Sequence, residues 1–502
     1  MRLLETTTLT LEFFFGEIPE YAILSHRWED EEVVYEDIRN GVTKEVEAMK
    51  GFPKVRGSCR LARQEGYKYI WIDTCCIDKS SSAELSESIN SMFDWYRTAA
   101  VCYAYLSDAV DLVQFPNSLW FTRGWTLQEL IAPSEVVFYN PYWMELGSRS
   151  ELRETIEFVT GIPTAILLRE VEKVGVCFSC NQGALGFVLT GPNVMPCNHN
   201  QDDQTLARAL DSCSIAQRLS WASRRRTTRP EDTAYSLLGI FGVNMPLLYG
   251  EGTRAFLRLQ EEIIKTSNDQ SILAFTRSGP EWPFKGNDSL LAQSPHLFAE
   301  LGNIVPTKWA ANVLMTLTAK AIETTLLMCP LSRKRGTRED THNSYHLGIL
   351  HCEDSQKTPT LPALILEPVD EGNLVFRRVH GYKEIRISPE QEKILLGRGM
   401  ISTFHQNSIC VRWMCRYLSN QQCSVVISVR IASPPGQSGP SENKPAFILN
   451  SLGTPKAGDG PTPSSSPYNP QSRWGLWQIS NRRERHVYIS KGRDVCWASG
   501  NS

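Results

Sequence analysis

Y-A-I-L-S-H-R-W, Tyr21 to Trp28, sets four apolar residues directly ahead of a cluster of polar and amphipathic ones. The short apolar run reads as a strand buried on both faces, and Ser25, His26, Arg27 and Trp28 then fall at its C-terminal end. The plan repeats downstream. Pro53 opens a helix through Val55, Cys59 and Ala62 that Gly66 stops, and Tyr67 to Ile72 (Y-K-Y-I-W-I) is the next strand, ending at Asp73. Ser81 and Glu84 form a capping box for a helix with Ile89, Met92, Phe93 and Tyr96 on one stripe. Val101 to Leu106 is a third strand, ending at Ser107-Asp108. A helix carrying Trp125 follows, then a strand from Glu135 to Tyr139 and a helix from about Ser150 to Val159. Ahead of them all, Thr8, Thr10 and Glu12 alternate with Leu9, Leu11 and Phe13, the period of a strand.

Short apolar strands alternating with helices predict a parallel sheet covered by helices. In such sheets ligands sit beyond the C-terminal strand ends. Those ends carry Ser25, His26, Asp73, Cys75, Asp78 and Asp108, within reach of Glu129. Glu129 lies in W-F-T-R-G-W-T-L-Q-E-L-I-A-P, Trp120 to Pro133, where Leu127, Leu130 and Ile131 form an apolar helix face with Gln128 and Glu129 off its centre. Taken alone, this window reads first as an amphipathic helix with a surface glutamate. A carboxylate beside indoles and a guanidinium is also an environment that suits a nucleotide sugar.

At 502 residues the chain predicts two or three domains. A net charge of -3 supplies no general pull toward nucleic acid or an anionic membrane. The basic clusters at Arg224 to Arg226, Arg333 to Arg335 and Arg482 to Arg485 read as solvated faces or loops. No apolar run reaches the ~18 to 20 residues of a membrane span, and the N-terminus does not read as a signal peptide. Fourteen cysteines without such a leader predict reduced thiols and a cytoplasmic protein. Trp71 and Trp95 read as core, and Asp73 and Asp78 as residues that could simply tie down a loop.

From Ile215 to Ile264 the pattern is helical, with Asp232 a plausible N-cap for A-Y-S-L-L-G-I-F and Arg229 to Asp232 a cap and salt-bridge cluster. Strand-like segments between Gly, Pro and Asp turns follow, and residues 433–472 are rich in Pro, Gly and Ser. The expected organisation is an α/β domain over 1–163, a poorly ordered insertion over 164–214, a helical completion over 215–270, and a β-rich domain over 271–502. Cys177, Cys180, Cys197 and His199 have zinc-ligand types, but they lie in the insertion and no metal site is assigned to them. G-x-x-x-x-G-K-[ST], H-E-x-x-H and G-x-S-x-G are absent, leaving P-loop, zincin and α/β-hydrolase readings without support.

Six blocks in order resemble the HET (heterokaryon incompatibility) proteins of filamentous fungi: Tyr21 to Trp28, Tyr69 to Lys79, Ile89 to Tyr96, Trp120 to Pro133, Arg229 to Phe241 and Met245 to Gly252. Arg27 stands where the family usually has a small residue. The HET domain is similar in fold to TIR domains, several of which hydrolyse NAD⁺, so the resemblance implies a TIR-like, flavodoxin-like parallel sheet with a helical extension. Plant-type TIR domains carry their catalytic glutamate in a W-C-x-x-E-L helix, and W-T-L-Q-E-L places Trp125 and Glu129 in the same relation. The resemblance therefore implies Glu129 as catalytic carboxylate. Ser25, His26, Arg27, Trp28, Asp73, Arg123 and Trp125 would line the pocket, with NAD⁺ as substrate and no prosthetic group. It further implies a cytoplasmic effector of self/non-self recognition and programmed cell death, working by self-association or with an incompatibility partner. The alternative is a non-enzymatic signalling or oligomerisation module of the same pathway.

Overall fold

The computed structural model describes residues 1–169, 201–275 and 291–306, and beyond 314 separated segments that are mostly strands. The chain divides into two compact units, Met1–Cys213 with Ser220–Leu259, and Ser214–Leu219 with Gln260–Ser502.

The first unit is built on a seven-stranded sheet of β1 (Arg2–Glu5), β2 (Leu11–Phe13), β3 (Tyr21–His26), β4 (Tyr69–Trp71), β5 (Val101–Tyr105), β6 (Val136–Tyr139) and β7 (Glu145–Ser148). Their order is β2-β1-β4-β3-β5-β6-β7. Strands β4, β3, β5 and β6 run parallel, as their apolar texture predicts. They lie in the order second, first, third, fourth, the arrangement of flavodoxin-like doubly wound sheets. Helices α1 (Tyr35–Ile38), α2 (Lys44–Glu47) and α3 (Phe52–Gln64) connect β3 to β4, and α4 (Asp73–Cys76) and α5 (Ser82–Thr98) connect β4 to β5. Helix α6 (Thr126–Ile131) precedes β6, and α7 (Arg153–Thr160) and α8 (Thr164–Leu167) follow β7. All six residues of β3 are buried, as befits a central strand paired on both edges.

The sheet is mixed rather than wholly parallel, because a hairpin closes each edge. β1 runs antiparallel to β2 and β4, and β7 antiparallel to β6. The alternation read from Thr8 to Phe13 becomes strand only from Leu11. Before it, the Glu5 carboxylate accepts the amides of Thr7 (2.9 Å) and Thr8 (2.5 Å) and bends the chain into a turn. At the other edge Asn140 Oδ1 accepts the amides of Tyr142 and Met144, and this tight turn returns the chain as β7. The capping box at α5 is half formed. Ser81 Oγ accepts the Glu84 amide, but the Glu84 carboxylate turns to the Asp78 amide (2.9 Å) and to Arg2.

Further helices span Gln201–Asp211, Ile215–Ala222, Asp232–Tyr235, Leu238–Phe241 and Arg254–Thr266. The stretch 164–214 therefore begins and ends in helix, and 170–200 lies outside the described residues. Asp232 is the first residue of its helix rather than the cap; Glu231 stands before it and accepts the amides of Gly250 and Gly252. In the second unit Ala321–Arg333 pairs antiparallel with Tyr345–Ile349 and with Cys423–Ala432. Much of 271–502, including nearly all of the 433–472 segment, lies outside the described residues. Among the described residues no helix is long and apolar enough to cross a membrane.

Candidate functional site

Every residue of α6 is buried. Leu127, Leu130 and Ile131 form the expected core face, but Gln128 is 1% and Glu129 6% exposed, so the surface-glutamate reading is overturned. The helix is pinned at both ends by arginines. At its start the Arg225 guanidinium donates to the Arg123 carbonyl and to Thr126 Oγ1, both at 2.9 Å. At its end Arg149 donates to the carbonyls of Leu130 (2.7 Å), Pro133 (2.9 Å) and Ser134 (2.7 Å). Arg169 takes the Ala132 carbonyl at 2.5 Å. These bonds satisfy carbonyls that a helix end otherwise leaves open. Backbone bonds from Gly124 to Arg226 (2.8 Å) and from Arg226 to Thr122 (2.7 Å) stitch the segment to the helix entry. Only glycine fits at 124, where a Cβ would lie 2.4 Å from Thr227 Cγ2.

Consecutive residues of a strand project to opposite faces. Ser25 and His26, the last two residues of β3, accordingly head two different polar clusters. Ser25 Oγ donates to Glu129 Oε2 at 2.5 Å and accepts from Trp120 Nε1 at 2.9 Å. The Tyr96 hydroxyl also bonds the Glu129 carboxyl, while its own proton goes to the Leu24 carbonyl at 3.0 Å. Burial, opposed by the Ser25 bond, pushes the Glu129 carboxyl up to about 8. At neutral pH it is therefore mostly protonated. Behind the network Trp120 packs edge-on against Phe121 and Phe138, with ring centroids 5.2 and 5.6 Å away.

On the other side, His26 Nε2 lies 3.7 Å from Glu32 Oε2 and 3.8 Å from Asp73 Oδ1. Those separations would suit ion pairs, but burial first, and then Lys54, Lys79 and Arg123, hold the imidazole well below its ordinary pKa. The ring is neutral, and neither contact is a hydrogen bond. Glu32 Oε1 is taken by Lys54 Nζ (2.5 Å) and the Glu29 amide (2.7 Å). Trp28 Nε1 donates to Asp73 Oδ2 at 2.8 Å, and Lys79 Nζ rests 3.5 Å from the centre of the Trp28 ring. The Arg123 guanidinium lies 5.6 Å from the same ring. Asp73 and Arg123 also act electrostatically on Glu129, which joins the two clusters across the end of β3.

Residues 21–115 match the model of the family described as heterokaryon incompatibility protein (HET). That stretch is similar to a HET domain. The chain is also 41% identical, over 264 residues, to the vegetative incompatibility protein HET-E-1 of Podospora anserina, an alignment that spans 50% of this chain and 16% of that protein. The chain thus covers about a sixth of the length of this relative. No solved structure matches it.

The matched stretch contains Ser25, His26, Trp28 and Asp73, while Arg123 and Glu129 come from beyond it. Of the residues expected to line one pocket, Ser25 joins Glu129, and His26, Trp28, Asp73 and Arg123 gather on the other cluster. Arg27 is exposed and belongs to neither. Trp125 bonds Asp232 instead, and Asp232 in turn accepts from Tyr249 (3.0 Å). Cys75, Asp78 and Asp108 hold loops: the Cys75 thiol on the Val33 carbonyl, Asp78 on Ser80, and Asp108 on Ser118 and the Leu119 amide. Trp71 is core and stacks edge-on with Trp95 at 5.5 Å.

Sequence reasoning missed Glu32, Lys79, Tyr96 and Arg225. Glu32 ends the acidic run Glu29 to Glu32, in which nothing marks one carboxylate from the next. Arg225 sits in the basic cluster read as a solvated face, yet its Nη2 is buried. Among the described residues no group of His, Cys, Asp and Glu could hold a metal ion. Cys177, Cys180, Cys197 and His199 lie outside them.

Proposed function

We propose that this chain acts in heterokaryon incompatibility as a cytoplasmic cell-death effector, and that its first unit cleaves the nicotinamide–ribose bond of NAD⁺ with Glu129 as catalytic carboxylate. The HET family match and the likeness to a vegetative incompatibility protein support the first part. The second part rests on one observation: a buried carboxyl, pushed up to about 8, hydrogen-bonded to Ser25 at the C-terminal edge of parallel strands. Ligands of such sheets bind at that edge, and the W-T-L-Q-E-L resemblance to TIR domains names the same residue.

The chemistry needs little more. As the C1′–N bond breaks, its electron pair leaves with nicotinamide and positive charge develops on the ribose. Ionised Glu129 stabilises that charge, water adds to C1′, and its proton is released with ADP-ribose. Trp28 offers an indole face to a base, and Arg123 a guanidinium to the pyrophosphate. The effector works on self-association or with an incompatibility partner.

A second reading, a non-enzymatic signalling module, is favoured by a different observation. Glu129 is already bonded by Ser25 and Tyr96 and only 6% exposed, which is how a purely structural carboxyl is held. Nicotinamide release from NAD⁺ by the purified, concentrated full chain decides between them. Release that falls by about two orders of magnitude or more in Glu129→Gln, with far-UV circular dichroism unchanged, is the expected result. A folded, self-associating chain that releases no nicotinamide transfers the weight to the signalling module.

A further inference from the structure

Four buried polar atoms on the His26 side have no hydrogen-bond partner: Nδ1 and Nε2 of His26, Oε2 of Glu32 and Nζ of Lys79. A buried polar group left without a partner is destabilising, and here several lie together. His26 Nε2 and Glu32 Oε2 face each other at 3.7 Å, and Lys79 acts electrostatically on His26 while Glu32 acts on Lys79. The opposite cluster, one residue away along β3, links its carboxyl, both hydroxyls and the Trp120 indole in one network. Such a concentration of unmet groups calls for a ligand that the chain itself does not supply.

The unmet atoms specify its chemistry. Glu32 Oε2 only accepts, so it calls for a hydroxyl donor. Lys79 only donates, so it calls for an anionic acceptor. Neutral His26 offers one donor and one acceptor, which again suits a hydroxyl. The charges point the same way. Lys54, Lys79 and Arg123 surround His26, against the carboxylates of Glu32 and Asp73, leaving an excess of positive charge. That excess favours an anion and disfavours a metal ion.

We propose that His26, Glu32 and Lys79 form a subsite for a ribose phosphate, with the sugar hydroxyls on Glu32 and His26 and the phosphate on Lys79 and Arg123. Trp28, seated over the Lys79 amine and 38% exposed, is the cover the ligand must shift. The subsite deepens the NAD⁺ reading, on which it relies for its place in a dinucleotide, but its occupancy is measured without turnover.

The test is calorimetric titration of the full chain with ribose 5-phosphate and, separately, with inorganic phosphate. Ribose 5-phosphate binds, and inorganic phosphate binds at least about tenfold more weakly, because it lacks the hydroxyl contacts. Lys79→Gln weakens ribose 5-phosphate by about tenfold or more, the loss of one charge-assisted contact, and Lys79→Arg restores most of it. Glu32→Gln keeps an oxygen for Lys54 and the Glu29 amide but turns the unmet acceptor into a donor. It weakens ribose 5-phosphate and leaves inorganic phosphate unchanged. No heat with millimolar ribose 5-phosphate, equal affinity for the two ligands, or an affinity indifferent to Lys79→Gln overturns the proposal. If Glu32→Gln fails to fold because Lys54 loses its counter-charge, the Lys79 pair decides alone. Nicotinamide release without ribose 5-phosphate binding would sink the subsite and spare the catalytic reading, and binding without release would do the reverse.

Discussion

The two polar clusters flanking the end of β3 start from adjacent residues and are built on opposite principles. Around Glu129 most donors and acceptors find each other, Gln128 Nε2 and Arg225 Nη2 excepted: Trp120 bonds Ser25, Ser25 bonds Glu129, Tyr96 bonds Glu129 and Leu24, and arginines take the Arg123 carbonyl ahead of the helix and the Leu130 carbonyl at its end. Around His26 the charges are gathered but the hydrogen bonds are not made. A satisfied network stabilises one conformation of the chain. An unsatisfied one raises the free energy of the empty protein and returns it on binding. The contrast separates what holds the helix in place from what awaits a ligand.

The comparison breaks most readily at Arg149. Arg149→Ala leaves the carbonyls of Leu130, Pro133 and Ser134 without that donor, and should cost at least ~3 kcal/mol by denaturant unfolding. A loss under about 1 kcal/mol would mean that the Glu129 side is not the tightly built one.

Acidity sharpens it next, because the two sides respond with opposite sign. Glu129 titrates from about 4.5 in the unfolded chain to about 8 in the folded one, so the folded protein holds the extra proton between those values. Its contribution to stability is complete below 4.5 and is lost as pH rises toward 8. His26 is held neutral in the fold, so the unfolded chain takes up its proton first, below 6.5. Its contribution is complete above 6.5 and is lost as pH falls. Unfolding curves of the wild type and of Glu129→Gln should therefore diverge by a few kcal/mol between pH 4.5 and 8, the variant being favoured at the alkaline end. Parallel curves would place Glu129 in a wetter setting than its 6% exposure implies. Nicotinamide release should rise over the same interval, as Glu129 ionises.

The smallest effect belongs to Arg27. Exposed and outside both clusters, it should change stability by less than ~0.5 kcal/mol on substitution by alanine, and leave ribose 5-phosphate titrations unchanged. A tenfold loss of affinity would add it to the subsite.

The parallel centre of the sheet was legible because strands buried on both faces are written as unbroken apolar runs, as in Tyr21 to Leu24 and Tyr69 to Ile72. The edges were not, because the pairing of β1, β2 and β7 depends on turns made by the Glu5 and Asn140 side chains. Ser25, His26 and Asp73 could be placed near one another from strand ends alone, and Glu129 was added by the W-T-L-Q-E-L resemblance. The alternation that sends Ser25 and His26 to opposite faces is written into any strand, and it divides the strand-end residues between two clusters. Glu32 and Arg225 were not legible, since a charge within an acidic or basic run carries no mark of burial until its neighbours are fixed, and Lys79, a single lysine after Asp78, carries no such mark either.

The stitch between Gly124 and Arg226 and the grip of Arg225 on Arg123 and Thr126 bring together residues about a hundred positions apart. During synthesis the Glu129 helix therefore emerges from the ribosome well before the segment that locks it. At 5–20 residues per second the interval is on the order of 5–20 s, in which a nascent chain has its catalytic candidate but not its clamp. A protein proposed to kill the cell that makes it would thereby be kept incomplete until most of its first unit has been translated.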